Sequence, residues 1–426
     1  MLGGAAKSEL AGCSFSCSGC ILQLALGDSA GLEDLITRLF STDAECEASS
    51  YCRSNNLDHF EQMFSRVDDR GRSRNARAFV RSARQGIEFI NEELETVIRD
   101  SKHVPYSHLS SANRERPLFH EENSFLQEMQ VAAMDFAHKN LERAIDRLRR
   151  LIADCDPLSG RLPILRHALA IALMESGNLP QARRELLAAL SLVRSASPQP
   201  LTSDILDDLG MVYLYRGKLD ASLRTHRRAL RRNIFLRDQR RVARSCEHLG
   251  LVRWKQADST AALGWLLISL SLRCPLGFAV DLADSMDSLG RVCTAMKFYS
   301  IGLELHYQAL KFRSNGDQPA IAKTLTNLGV VFRKLEALSI ALTFHQRAMK
   351  IRKYYQDKVG TANSYNNQGL VLMKMGHLKS ARKQVRKAFR LRHEMGDALN
   401  MSRNLSNLRN IETALRAKAS RLRNLK

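Results

Sequence analysis

The sequence predicts an all-α chain, a solenoid of helix hairpins behind a separate helical N-terminal segment, and three observations carry that prediction. A Leu-Gly pair recurs every 40 residues with one contraction to 39, and small residues recur at two fixed offsets from it. Only 9 Pro and 23 Gly in 426 residues leave room for long helices. At 44% hydrophobic and 26% charged residues the composition is that of a folded chain.

The recurring pairs are Leu169-Ala170, Leu209-Gly210, Leu249-Gly250, Leu289-Gly290, Leu328-Gly329, Gln368-Gly369 and Leu408-Arg409. Twelve residues beyond each Gly position lies Ala182, Ser222, Ala262, Gly302, Ala341 or Ala381, and nineteen beyond it Ala189, Ala229, Ser269, Ala309, Ala348 or Ala388. Two antiparallel helices approach closely only where neither side chain is large, so each unit reads as a helix hairpin. Apolar residues fall at helical spacing within a unit, as in Leu206, Leu209, Val212 and Tyr213, then Leu219, Leu223, Ala229 and Leu230. Turn signals separate the two runs at Ser176-Gly177-Asn178, Arg216-Gly217-Lys218 and Met375-Gly376-His377. Such a hairpin cannot bury its apolar face alone, so neighbours must stack.

This pattern resembles the tetratricopeptide-repeat (TPR) family, in which a Leu-Gly pair is followed by an aromatic three residues on; here Tyr213 and Phe332 hold that place. Leu173, Arg253, Cys293 and Leu372 replace it elsewhere. The resemblance implies a right-handed α-solenoid over residues 124–415, with six to seven repeats, the first a weaker unit at 124–157, and a capping helix near 400–420. A 40-residue period is similar to the TPR subclass of kinesin light chains and spindle-orientation adaptors, carried by Asn327-Leu328-Gly329 and Ala341-Leu342-Thr343-Phe344-His345. A helical segment, a linker from Tyr106 to Arg116 and then 40-residue units also resemble the TPR subunit of the ciliary outer-dynein-arm docking complex. What these resemblances imply is a scaffold or adaptor for protein partners, cytoplasmic, with a cytoskeletal or axonemal association.

By resemblance the first helices line a groove, at positions six, three and two before the Gly and one, four and five after it. Its earlier half is acid-rich: Asp204, Asp207, Asp208, Arg244, Glu247, His248, Asp284, Asp287 and Arg291. Its later half is basic and amide-rich: Lys323, Asn327, Arg333 and Lys334, then Asn363, Asn366, Asn367 and Lys374, then Arg403, Asn407 and Asn410. Asn is a mediocre helix former, so an Asn ladder on one face calls for a reason outside the helix. An amide offers donor and acceptor together to an extended backbone, and Lys or Arg beside it can pair with carboxylates. The expected ligand is an acidic linear segment across Lys323–Asn410; a polar, solvated groove wall is the bland alternative.

Residues 1–123 hold 14 Lys and Arg against 19 Asp and Glu, so the net charge of +21 is a small acidic head before a strongly basic body. The expected organisation is a disordered tail over 1–30, an acidic helical segment and linker over 31–123, and a basic tail over 416–426. Within the head, Gly31–Leu39 and Leu57–Val67 read as short helices and Ala76–Arg99 as a long one, with Phe79, Val80, Ile87, Ile90, Leu94 and Ile98 on its apolar face. Its opposite charge suggests that the head can fold back on the groove.

No apolar run is long enough to span a bilayer, and no secretory leader is evident. The nine Cys read as reduced thiols. Cys13, Cys17 and Cys20 have the spacing of a radical-enzyme iron–sulfur site, but no strand-helix alternation follows; zinc, reversible acylation and incidental thiols in a flexible tail are the other readings. His226, His306 and His345 share one slot of the second helix, read as core packing between hairpins rather than a metal ladder. No P-loop, nucleophile elbow or Gly-rich nucleotide fingerprint is present, so neither an enzyme nor a cofactor is expected. Arg-rich stretches such as Arg224–Arg228 read as solvated helix faces; a basic solenoid on a polyanionic surface, RNA or tubulin, is the alternative function.

Overall fold

A computed structural model describes residues 119–424, except 138–139, 158, 194–199, 278 and 314–317, together with helical turns at 78–79, 81–83, 85–87, 89–90 and 96–97. The tail over 1–30, Cys13, Cys17 and Cys20, and the expected helices at 31–39 and 57–67 lie outside the described residues. Among the described residues there is no strand, and no helix is long and apolar enough to cross a membrane.

Among the described residues from 119 on, fifteen α-helices follow one another: α1 (Phe119–Ala137), α2 (Leu141–Ala153), α3 (Leu162–Glu175), α4 (Leu179–Leu192), α5 (Pro200–Tyr215), α6 (Leu219–Phe235), α7 (Gln239–Lys255), α8 (Ser259–Arg273), α9 (Ala279–Ala295), α10 (Tyr299–Phe312), α11 (Gln318–Lys334), α12 (Leu338–Tyr354), α13 (Lys358–Lys374), α14 (Leu378–Glu394) and α15 (Ala398–Asn424). The last helix takes in most of the segment expected to be a separate basic tail. Helical phase explains the difference: Leu408, Ile411 and Leu415 keep their apolar face on α14, and nothing after them breaks the helix.

The chain divides into two compact units. The first comprises residues 1–117, 155–171 and 179–298, and the second 118–154, 172–178 and 299–426. In the first unit each helix from α4 to α9 packs on the next, and α5, α7 and α9 also touch one another in turn. In the second unit α1 pairs with α2, each helix from α10 to α15 packs on the next, and α11, α13 and α15 touch in turn. First helices beside first helices is the arrangement that gives a continuous wall.

The small positions are what let the helices meet. Ala182, Ser222, Ala262, Ala341 and Ala381, with Ala189, Ala229, Ser269, Ala309, Ala348 and Ala388, are fully buried. The Gly of the Leu-Gly pair has a matching partner inside its own hairpin. A Cβ on Gly210 would stand 2.5 Å from the His226 ring, one on Gly329 2.6 Å from His345, and one on Gly369 2.5 Å from Val385. The histidine slot packs onto the Gly of its own hairpin, and His226 also meets His248 of the next hairpin, ring centres 4.8 Å apart. From α3 on, the turn closing each hairpin places one residue in the left-handed region, whether it is Gly177, Gly217 and Gly376 or Ala257, Lys297 and Glu336.

The described helical turns between 78 and 97, called the N-terminal helix below, dock on α8. Gly86 crosses Gly264 so closely that a Cβ on either would meet backbone of the other, Phe79 meets Phe298 edge to face at 5.6 Å, and Arg253 lies 5.7 Å from the centre of the Phe89 ring. Residues 261–270 of α8 are all buried in consequence. The described turns of the acidic head thus cover a second helix, and Phe79, Ile87 and Ile90 of the expected apolar face are buried there.

Candidate functional site

The site builds from the first helices of each unit. In the first unit their polar groups are engaged with one another. Asp204 on α5 takes a two-pronged contact from Arg241, at 3.1 Å to each oxygen, and lies 3.3 Å from Arg244. Asp208 meets His167 at 2.7 Å. Glu247 on α7 accepts from Arg273 at 2.7 Å and from Ser288 at 2.6 Å.

Asp207, Glu247 and Asp287 were expected to face an open groove, yet they are only 1%, 8% and 0% exposed. The position three before the Gly is turned toward a neighbouring first helix. The rungs His167 to Asp208, Glu247 to Ser288 and Asn366 to Asn407 each span 41 residues and show this phase.

Asp207 sits in a buried knot. Its Oδ1 accepts from His226 Nδ1 at 3.0 Å and lies 3.6 Å from His248 Nδ1, while Ser245 Oγ donates to Oδ2 at 2.9 Å. Asn233 Nδ2 in turn donates to Ser245 at 3.0 Å. Burial pushes the Asp207 carboxyl upward, but the His226 and His248 imidazoles outweigh it and hold the group well below the usual carboxylate range. Burial lowers the His226 pKa despite the bond it donates to Asp207, so the ring stays neutral beside an ionised carboxylate.

The second unit is different. None of Lys323, Asn327, Arg333, Asn363, Asn366, Asn367, Lys374, Arg403, Asn407 and Asn410 is buried, and all stand on α11, α13 and α15. The Asn327 amide nitrogen is enclosed yet has no hydrogen-bond partner, and no side-chain hydrogen bond engages Asn367 or Asn410 among the described residues. Others are already spoken for: Asn407 donates to Asn366 at 2.9 Å, Asn363 accepts from Arg392 at 2.6 Å, and Lys374 pairs with Glu336. Arg403 makes only a long contact, 3.4 Å, to Asn400. Burial lowers the Arg333 pKa, with Glu336 opposing, and its Nε is enclosed without a partner. Arg291 belongs to the first unit, where its guanidinium lies over Trp254 at 5.3 Å and donates to Ser288 at 3.2 Å.

One set of residues escaped the sequence reading. Arg273, Arg313, Arg352 and Arg392 close their second helices at intervals of 40, 39 and 40, and each reaches the first helix of the next hairpin. Arg352 donates to the Gly360 carbonyl at 3.0 Å and to Ser364 at 2.8 Å; Arg273 donates to the Asp281 carbonyl at 2.9 Å and to Ser285 at 2.6 Å. Arg392 repeats this with the Asn400 carbonyl at 2.9 Å and with Asn404, and Arg313 bonds Thr324. The signal was their periodicity, hidden because cations at a helix C-terminus are ordinarily solvated partners of the dipole.

Helix hairpins closing on small residues, with first helices side by side, define a repeat protein of the α-solenoid class. Residues 161–234 match the family model described as tetratricopeptide repeat. No protein of established function matches the chain by sequence. Among solved structures, a Rap protein complexed with competence and sporulation factor is similar at 14% identity over 78% of this chain and 93% of its own, with a TM-score of 0.52. A tetratricopeptide-repeat protein from Parabacteroides merdae is 12% identical over 68% of this chain and 99% of its own, TM-score 0.44. The TPR-like repeats of a Podospora anserina putative kinesin light chain are 14% identical over 45% of this chain and 95% of their own, TM-score 0.37.

Proposed function

We propose that the chain is a non-catalytic adaptor whose second unit holds an acidic, extended peptide of a partner protein along α11, α13 and α15. The observation that carries this reading is the contrast between units: in the first the first-helix carboxylates are buried or paired, whereas in the second a face of Asn, Lys and Arg stays accessible with amide capacity unspent at Asn327, Asn367 and Asn410. The amides of Asn367 and Asn410, on the accessible face, are the ones a peptide backbone would pair with. A similar fold has been solved with a bound factor, which suits the reading. The cytoskeletal or ciliary setting rests on the sequence resemblance alone.

The test is selection of peptides on the full chain from a displayed random library, followed by affinity measurement on a variant carrying Asn327→Ala, Asn367→Ala and Arg403→Ala, with circular dichroism confirming equal helicity. Acidic ligands weakened at least tenfold, about 1.4 kcal/mol, support the groove. Ligands that bind both proteins equally reject it.

A second reading has its own observation. Helix α14 exposes Lys379, Lys383, Arg386, Lys387 and Arg390, a charged ridge that fits a polyanionic surface. Affinity falling steeply with salt, and with charge reversal on α14, would favour it over the groove.

A further inference from the structure

The knot around Asp207 is used by no part of the groove reading, and it has the donor set and spacing of a metal centre. We propose that Asp207 Oδ1, His226 Nδ1 and His248 Nδ1 bind one first-row divalent cation of the zinc class, tying α5, α6 and α7 of the first unit together. The three ligand atoms all lie within 4.8 Å of one another, two of them 3.0 and 3.6 Å from the third. A cation with bonds of about 2.0–2.1 Å in tetrahedral geometry sets its ligand atoms about 3.3 Å apart, between those two separations, so binding draws in the widest separation of the set, up to 4.8 Å.

A second observation points the same way. His248 Nδ1 is shut off from solvent and has no hydrogen-bond partner, and at 3.6 Å from Asp207 it is too far to donate to it. That is an imidazole nitrogen aimed at an anionic oxygen with a gap that suits an ion better than a proton. The surroundings supply what such a centre needs: Ser245 and Asn233 fix the carboxylate from behind, as outer-shell partners orient ligands elsewhere. The His226 ring is held in place against Gly210, and its Nδ1 ligates once the proton it donates to Asp207 has shifted to Nε2. His248 is 15% exposed, so its edge gives a route in and leaves the fourth position to a water.

The experiment is a cobalt(II) titration of the full chain after chelator treatment and dialysis, read by visible absorption, with zinc competing. Cobalt distinguishes this site from the nine cysteines, because thiolate ligation adds an intense charge-transfer band that nitrogen and oxygen ligation lacks. The expected result is one equivalent bound with ligand-field bands and no thiolate band, and affinity at least 100-fold weaker in His248→Ala, beyond the roughly 10–100-fold typical of losing an outer-shell partner. Should His248→Ala lose helicity, Asp207→Asn, which keeps the buried shape, takes its place. No stoichiometric uptake, uptake with a thiolate band, or uptake unchanged by the folded variant overturns the proposal.

Discussion

His345 shows what a repeat does with one side chain. It fills the slot over Gly329, and both of its ring nitrogens are enclosed without a partner. Burial, assisted by Arg333 and Arg352, lowers its pKa to about 3. The unfolded chain therefore binds more protons than the folded one between about pH 6.5 and pH 3. This contribution to stability is intact above pH 6.5 and is lost as the pH falls through that window, at up to about 1.4 kcal/mol per pH unit. Leu266 and Val385 fill the same slot elsewhere, over Gly250 and Gly369. His345→Leu is expected to fold and to flatten the acid limb of a denaturant-midpoint profile against pH; a limb as steep as that of the unaltered chain would show that another group causes it. At this scale the small residues were legible, because close approach demands them wherever hairpins form. The Asp207 knot was not. Its members lie 19 and 22 residues apart on three helices, and only superposing neighbouring repeats brings them together.

At the scale of elements, α8 is the exception in the array. Second helices such as α12 and α14 alternate buried and exposed positions, whereas α8 is enclosed all round by α7, α9 and the N-terminal helix. Its sequence, Ala261-Ala262-Leu263-Gly264-Trp265-Leu266-Leu267-Ile268, announces an unusually apolar helix, but which segment covers it was not legible, since any amphipathic helix would serve. The Gly86–Gly264 crossing decides it. Gly264→Val would set methyl groups against the Gly86 carbonyl and is expected to cost about 1–3 kcal/mol by overpacking. Chemical denaturation checks this, and the same loss must follow Gly86→Val if the two glycines form one contact. A change without effect would release the N-terminal helix from α8.

For the whole molecule, the repeat period fixes the number of hairpins directly from the sequence, while the division into two compact units left no trace in composition or spacing. Stacked repeats bind chiefly to their neighbours, so separate units need not unfold together. Both tryptophans, Trp254 and Trp265, belong to the first unit. Tryptophan fluorescence is therefore expected to give an unfolding midpoint different from that of circular dichroism, which averages every helix. Coincident midpoints would mean that the two units melt as one.

The arginine clamps carry a consequence for the irregular repeat. Three arginine clamps link residues twelve apart, Arg273 to Ser285, Arg352 to Ser364 and Arg392 to Asn404, as does the amide contact of Asn233 with Ser245, but Arg313 reaches Thr324, eleven apart. The missing residue of the 39-residue unit thus falls between those two side chains, and the contact survives its loss. Successive hairpins are indexed to one another by a guanidinium and a hydroxyl or amide rather than by the length of chain between them. A one-residue change in the connection between two hairpins thus leaves their contact in place where both ends of the clamp remain.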